Sequence, residues 1–212
     1  MEIRAEQVEV TGAHSTLLRP TSLAVSGGEL LVVAGDPGTG HTALALALSG
    51  RLKPSRGRVL VDGAEDARAL RHRVSLVDAP EITEPEPSVP VAAAVAEGLS
   101  LAGRRSGRRA VRSWLAARDL DGHAATRVEN LPAPERLRLL VDLACADRRV
   151  AALVLDTPDR HGGDPHVWYE LARRESRRER AVLVLCSPHS ADRLDVPRAE
   201  LGADNSTAGG AR

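Results

Sequence analysis

The sequence is poor in aromatic residues: its 212 residues include no phenylalanine, one tyrosine and two tryptophans. A folded core must therefore be built from leucine, valine and alanine. Hydrophobic residues make up 42% of the chain, which predicts a folded protein rather than a disordered one. A chain of this length suits one domain, or one domain with a subdomain, and can bury a sizeable core.

The chain also lacks an excess of charge, because 29 basic residues balance 29 acidic ones. A neutral protein does not offer the basic surface that nucleic acid requires, so we expect no nucleic-acid partner. Only two cysteines are present, Cys145 and Cys186, and both lie in apolar segments. That placement indicates buried, reduced thiols and suits a reducing compartment.

Long apolar runs are absent as well. No stretch approaches the ~20 residues that a membrane-spanning helix needs. The opening, MEIRAEQVEV, is unlike a signal peptide. We therefore expect any role at a membrane to depend on a partner protein.

A glycine-rich turn joins an apolar run to a helix-forming run in the segment LLVVAGDPGTGHTALALALSG. This is the layout of a phosphate-binding P-loop, G-x-x-x-x-G-K-[ST], with histidine in the place of lysine. Backbone N–H groups and a helix N-terminus converge at such a turn and attract anions. The alternative is an ordinary strand-to-helix turn. The residues predicted to bind nucleotide phosphates are Gly35, Gly38, Thr39, Gly40, His41 and Thr42.

Strand and helix patterns alternate along most of the chain. The apolar runs GELLVVAG, VAALVLD and AVLVLCS are typical of buried strands, and helical patterns such as PERLRLLVDLACA lie between them. This alternation predicts an α/β fold with a parallel sheet. Helical patterns from about residue 81 to 145 predict an inserted subdomain. The small, polar end predicts a disordered tail at 198–212, after a single domain at 1–197.

A P-loop site also needs an acidic residue that reaches the metal ion bound with the nucleotide. The apolar segment AALVLD ends in Asp156, and another buried-strand pattern follows it. Many core strands end in aspartate, so the signal depends on its place after the P-loop. We predict that Thr42 and Asp156 together hold Mg²⁺.

Two long segments, SGGELLVVAGDPGTGHT with SGRLKPSRGRVLVDG, and LPAPERLRLLVDLACADRRVAALVLDTPD, carry a family resemblance. Over about residues 2 to 190 the chain resembles the ATPase domain of ATP-binding cassette (ABC) transporters. The resemblance implies a P-loop core of ABC type, an N-terminal antiparallel β part and an inserted helical subdomain. It also implies ATP and Mg²⁺ as cofactors.

The resemblance further implies partners. It points to a cytoplasmic subunit, peripheral to the membrane, that docks on a membrane permease and couples ATP binding to transport. The docking groove would lie where the loop around Ala79 meets the helical insert. In this family two ATPase domains pair head to tail, so an ABC-type dimer partner is implied too.

The chain departs from the family pattern at most of the positions that carry chemistry. Histidine stands in the place of the P-loop lysine. Other residues also stand where the family has a glutamine, the signature segment, the catalytic glutamate and the switch histidine. For the aromatic residue that stacks on adenine, His14 is the nearest candidate. The departing positions are His41, Ala79, Leu131 to Glu135, Thr157 and Ser187, with His189 as the alternative switch residue.

Each departure has a physical size. Histidine is shorter than lysine and, with an ordinary pKa near 6.5, mostly neutral at pH 7. Loss of one charge-assisted hydrogen bond costs about 1.5–3 kcal/mol, or roughly 10- to 100-fold in affinity, so weak binding survives. Loss of a general base costs about 10²–10⁴ in rate. We therefore predict negligible ATP hydrolysis.

The sequence thus predicts an ABC-type ATP-binding subunit, of a membrane transporter, with weak or no hydrolysis. The alternative is a pseudo-ATPase, in which the ABC fold survives as a non-enzymatic scaffold or regulator. A third interpretation, another P-loop enzyme such as a small kinase, lacks support because no second substrate site is evident.

Overall fold

A computed structural model describes residues 1–206. Its N-terminal part is a three-stranded antiparallel sheet made of β1 (Glu2–Thr11), β2 (Thr16–Ser26) and β4 (Arg56–Val61). The strand order is β2-β1-β4. In β1 buried and exposed side chains mostly alternate, because one face of the sheet packs on the core. The predicted antiparallel part is confirmed.

The second sheet is parallel and has five strands in the order β5-β6-β7-β3-β8. Its three central strands are buried at every position, as expected for strands that are covered on both faces. Their carboxyl ends meet at one edge, which is where ligands bind in open α/β sheets. The strands are β3 (Leu30–Ala34), β5 (Val74–Val77), β6 (Ala152–Asp156), β7 (Ala181–Cys186) and β8 (Arg198–Glu200).

Helices cover both faces of the parallel sheet. The first face packs against α1 (His41–Leu48) and the antiparallel sheet in one apolar core. The opposite face packs against α6 (Pro165–Ser176) and α7 (Pro188–Leu194) in a second core. A short helix, α2 (Ala67–Arg73), leads into β5 and buries only Leu70.

Three helices between β5 and β6 form the predicted helical insert. They are α3 (Val91–Leu101), α4 (Arg108–Ala116) and α5 (Ala133–Ala144), and they share a third apolar core. Helix α5 has two buried faces: Leu139 lies in the core of the insert, and Val141 lies in the core of the parallel sheet. The insert is therefore joined to the sheet through α5.

The prediction of a disordered tail from residue 198 is wrong for residues 198–206. Strand β8 pairs with β3, and Ala199 in the middle of β8 is fully buried. The side chain of Asn205 accepts a hydrogen bond from the Glu200 amide and donates to the Ser22 carbonyl. These long-range contacts outweigh the polar composition of the segment. Residues 207–212 lie outside the described part of the chain.

Candidate functional site

The glycine-rich turn between β3 and α1 forms an open cradle of backbone amides. Gly40 has φ 108°, and a Cβ there would lie 2.3 Å from the Leu17 carbonyl, so only glycine fits. Within residues 1–206, the amides of Gly38, Gly40 and His41 have no hydrogen-bond acceptor on the backbone. Unpaired amides at the start of a helix are a ready site for phosphate.

The structure brings together the two residues predicted to hold Mg²⁺. The Thr42 hydroxyl on α1 donates to Oδ2 of Asp156 at the end of β6, over 2.7 Å. Asp156 is almost fully buried, and burial raises the pKa of its carboxyl above the usual range although the Thr42 bond and the His41 charge oppose this. A hydroxyl and a carboxylate oxygen are ligands that Mg²⁺ prefers. The donor set fits the ion.

His41 lies at the first turn of α1, and its side chain is directed toward the sheet. The residue is only 7% exposed, and its Nε2 lies 3.1 Å from the carbonyl oxygen of Cys186 at the end of β7. A carbonyl can only accept, so Nε2 carries the proton in this contact. The His41 ring therefore lines the cavity with only its other nitrogen available to a ligand. The lysine of an ordinary P-loop would instead extend its ammonium group toward the phosphates.

The P-loop borders an open cavity of about 880 Å³. His14, the predicted adenine-stacking residue, lies in the exposed β1–β2 turn and does not line the cavity. The nearby Leu17 does line it. Ser187 lines the cavity, whereas His189 is exposed and does not. Lining residues from the P-loop and from three other segments include Leu17, Gly35, Gly38, Gly40, His41, Thr42, Thr157, Asp159, Arg160 and Ser187.

The segment after β6 contributes the other wall of the cavity. Thr157 adopts a left-handed conformation with φ 48° and presents no carboxylate there. The carboxylate that is present belongs to Asp159, and its Oδ2 already accepts hydrogen bonds from the hydroxyl groups of Ser187 and Ser190. Asp159 therefore helps to position the β7–α7 turn through Oδ2.

A buried charge cluster lies next to the cavity, and sequence reasoning missed it. It is centred on Asp78, which is 2% exposed and follows β5. Its Oδ1 accepts from Arg136 on α5 over 2.7 Å, and its Oδ2 lies 2.8 Å from Nε2 of His161. Arg160 also lies within 3.2 Å of Oδ1. Nothing in the sequence links residues so far apart, so only the fold reveals the cluster.

The cluster keeps Asp78 ionised. Burial alone would raise the pKa of Asp78, but the His161 hydrogen bond and the charges of Arg136 and Arg160 outweigh it and hold that pKa below its ordinary value. The negative charge of the buried Asp78 carboxylate is therefore compensated by the positive charges of Arg136 and Arg160.

A second cavity of about 530 Å³ lies between the segment at residues 78–86 and helices α3 and α5. It lies where the family resemblance implies a docking groove, between the loop around Ala79 and the helical insert, and its role in docking stays a prediction. Two large apolar side chains on its rim are exposed to solvent: Ile82, at 46%, and Leu101, at 78%. Exposed apolar side chains on a groove are typical of a surface that binds another protein.

Comparison with known proteins identifies the family to which this arrangement belongs. A model of the ABC transporter family matches residues 18–158, which is most of the chain. The chain belongs to the ABC transporter ATPases. ATPase domains of this family bind ATP with Mg²⁺, and the amide cradle and the Thr42–Asp156 pair fit those cofactors.

Individual ABC relatives agree with this assignment. The chain is 35% identical over 163 residues to the taurine import ATP-binding protein TauB of Pseudomonas entomophila, covering 74% of this chain and 60% of the relative. It is 32% identical over 203 residues to the hemin import ATP-binding protein HmuV of Bradyrhizobium diazoefficiens, covering 86% and 72%. The chain thus spans about three fifths of the TauB protein that it matches.

Solved ABC cassettes share the fold. A nucleotide-free ATP-binding cassette from an ABC transporter superimposes with a TM-score of 0.69 at 14% identity, over 96% of this chain and 90% of that one. The ATP-binding subunit of another ABC transporter gives 0.64 at 14% identity, over 90% and 81%. The predicted ABC-type fold is therefore confirmed. In the part of the ABC chain that the structure describes, no helix is long and apolar enough to span a membrane.

The raised pKa of Asp156 leads to a prediction about stability. A carboxyl whose folded-state pKa is raised favours folding below its unfolded-state pKa, and this contribution is lost as pH rises through the folded-state value. At pH 8 the buried charge is a cost, so we expect Asp156→Asn to melt above wild type. Each kcal/mol regained moves the melting temperature by about 2–4 °C in a chain of this size.

Thermal unfolding of wild type and Asp156→Asn at pH 4 and pH 8, without nucleotide, tests this expectation. The gap should be smaller at pH 4, because the raised pKa favours uptake of a proton by the wild-type carboxyl as pH falls. If Asp156→Asn is no more stable than wild type at pH 8, the Thr42 hydrogen bond already offsets the desolvation of the charge.

Proposed function

We propose that the chain is the ATP-binding subunit of an ABC importer, and that it binds MgATP weakly and hydrolyses it slowly or not at all. The observation that carries the proposal is the 2.7 Å contact between Thr42 and Asp156 beside an unpaired amide cradle. Bound Mg²⁺ would neutralise phosphate charge there. The relatives' names supply the direction of transport, since both TauB and HmuV are import proteins.

Slow hydrolysis is proposed from the residues that replace the catalytic ones. Thr157 has no carboxylate to activate water, and Ala79 is fully buried and has no polar side chain. In the signature segment, Pro134 has no amide hydrogen to donate and Glu135 adds a negative charge at the start of α5. Each change removes a group that would meet ATP or the attacking water.

The partners proposed from the family are a membrane permease and a second ABC-type domain. A cytoplasmic segment of the permease would occupy the groove, where Ile82 and Leu101 supply apolar contacts. The subunit would then sit peripherally on the cytoplasmic face of the membrane. Because Pro134 and Glu135 suit phosphate poorly, ATP is expected to bring two copies of this chain together only weakly.

A non-enzymatic scaffold is the rival function, and one observation favours it. The Nε2 atom of His41 contacts the Cys186 carbonyl, so this nitrogen is not available to a phosphate. In that case nucleotide is irrelevant. The two functions differ in whether the cradle binds MgATP, and His41 offers a test.

We expect His41→Lys to bind MgATP about 10- to 100-fold more tightly than wild type at pH 8, because it restores one charge-assisted hydrogen bond. The Cys186 carbonyl keeps the Gly35 amide as a donor, so the substitution leaves no buried acceptor unpaired. A phosphate beside an imidazole favours its protonated form, so wild type should bind more tightly at pH 6 than at pH 8. Isothermal titration at both pH values measures these differences.

His41→Ala is the control for the pH dependence, because the phosphates of ATP titrate in the same range. It should lose most of the difference between pH 6 and pH 8, and His41→Lys should show a flat profile. If neither wild type nor His41→Lys binds ATP, the scaffold function replaces the proposed one.

A further inference from the structure

The nucleotide cavity has little positive charge where phosphates would lie. Among its described lining residues only His41 and Arg160 can carry a positive charge. His41 is buried, and its Nε2 already contacts the Cys186 carbonyl. Arg160 is always charged and presents a planar set of donors that matches phosphate. It is therefore the cavity's one permanent cation within residues 1–206.

Arg160 also reaches the second cavity. It lies in the short turn after β6, and its Nη2 donates to Oε2 of Glu84 over 2.7 Å while its Nη1 donates to the carbonyl of Asp78. Asp78 and Glu84 both line the groove beside α3. Arg160 thus lines the nucleotide cavity, while its guanidinium group holds a wall of the groove through Asp78 and Glu84.

We propose that Arg160 is a phosphate ligand that exchanges between the nucleotide and Glu84, so that nucleotide binding releases the groove-lining segment at residues 78–86. The inference rests on the proposed binding of ATP. Arg160 would supply the positive charge that the P-loop histidine does not. It would also connect the nucleotide cavity to the groove.

In such an exchange Arg160 gives up its contacts with Asp78, Glu84 and His161, and the groups left behind keep other partners or reach water. When Arg160 leaves, Asp78 still has Arg136 at 2.7 Å and His161 at 2.8 Å, so its buried charge stays compensated. The Glu84 side chain is 29% exposed, and water can solvate its carboxylate. A polyphosphate carries several negative charges in place of the single one on Glu84, so it is the stronger acceptor for a guanidinium group.

The segment released by the exchange is a compact unit. The carbonyl of Ala79 accepts hydrogen bonds from the amides of Ile82, Thr83 and Glu84, and the Thr83 hydroxyl accepts from the Ala79 amide. These bonds are internal to the segment and do not involve Arg160. Loss of the Arg160–Glu84 contact therefore removes an anchor outside the segment, and the turn and its internal bonds should open more often.

Two substitutions with opposite expected effects test the exchange. Arg160→Gln should weaken MgATP binding by about 10-fold or more, because a charged phosphate contact is lost. Glu84→Gln should tighten binding several-fold, because the competing carboxylate is removed. The double variant should show no gain over Arg160→Gln alone, since the effect of Glu84 acts through Arg160. Arg173→Gln, at an exposed pair with Glu170 on α6, is the matched control and should bind as wild type.

Hydrogen–deuterium exchange reports on the groove. The amides of Ile82, Thr83 and Glu84 in wild type should exchange faster once MgATP is added. In Arg160→Gln they should exchange fast from the start and respond little to MgATP. Arg160→Lys keeps a charge and should recover part of the affinity.

A structural role alone would not make Glu84→Gln bind more tightly than wild type. If Arg160→Gln and Glu84→Gln bind MgATP as wild type does while His41→Lys binds more tightly, the inference fails and the proposed function stands. If neither wild type nor His41→Lys binds, both fail together.

Discussion

At saturating MgATP, the purified protein is expected to release phosphate about 10²–10⁴-fold more slowly than an ABC ATPase that keeps its catalytic glutamate. The position after Asp156 is Thr157, which lines the cavity but has no group that can take a proton from water at neutral pH. The nearby Asp159 carboxylate already accepts from Ser187 and Ser190. A phosphate-release assay measures the rate.

Restoring the carboxylate provides the control for hydrolysis. Thr157 is β-branched and has φ 48°, a conformation that a β-branched residue adopts at a cost, so glutamate at this position adds no backbone strain. In a His41→Lys background, Thr157→Glu should hydrolyse ATP faster than Thr157→Gln, which has the same shape without the base. Wild-type hydrolysis at the rate of intact family members, abolished by Asp156→Asn, would contradict the prediction.

Much of the fold could be predicted because local patterns and tertiary packing agree. Strands β3, β6 and β7 are continuous apolar runs, and they are buried on both faces as such runs require. Strand β8 was missed because it has three residues, two of them charged, and its place depends on pairing with β3. Helix α7 had a readable signal, since Ser187 caps it and Pro188 is its first residue.

The candidate site was predictable only in part. Spacing alone placed Thr42 and Asp156 together, because a P-loop and the end of a nearby buried strand converge at one sheet edge. The direction of the His41 ring was not predictable, since it depends on the carbonyl at the end of β7. The contacts of Asp78 with Arg136 and Arg160 join segments 58 and 82 residues apart, and no local pattern encodes them.

Asp78→Asn is expected to destabilise the protein by about 3–5 kcal/mol, because it removes the counter-charge of a buried arginine. Arg136 is 7% exposed and its Nε already has no hydrogen-bond partner among the described residues. Without the Asp78 charge, the buried guanidinium of Arg136 would lie near that of Arg160 with no carboxylate between them. In a chain of this size, each kcal/mol lowers the melting temperature by about 2–4 °C.

Asp62→Asn is a matched control for the backbone, because Asp62 and Asp78 have φ values of 49° and 59°, a left-handed conformation that asparagine also tolerates. Asp62 pairs with Arg73 at the surface, where such a pair contributes less than about 1 kcal/mol. The Asp78 contribution is present above the unfolded-state pKa and is lost as pH falls through the lowered folded-state pKa. Wild type and Asp78→Asn should therefore differ most at pH 7 and converge in acid. Equal urea midpoints for the two asparagine variants at pH 7 would show that the fold does not depend on the buried Asp78 charge.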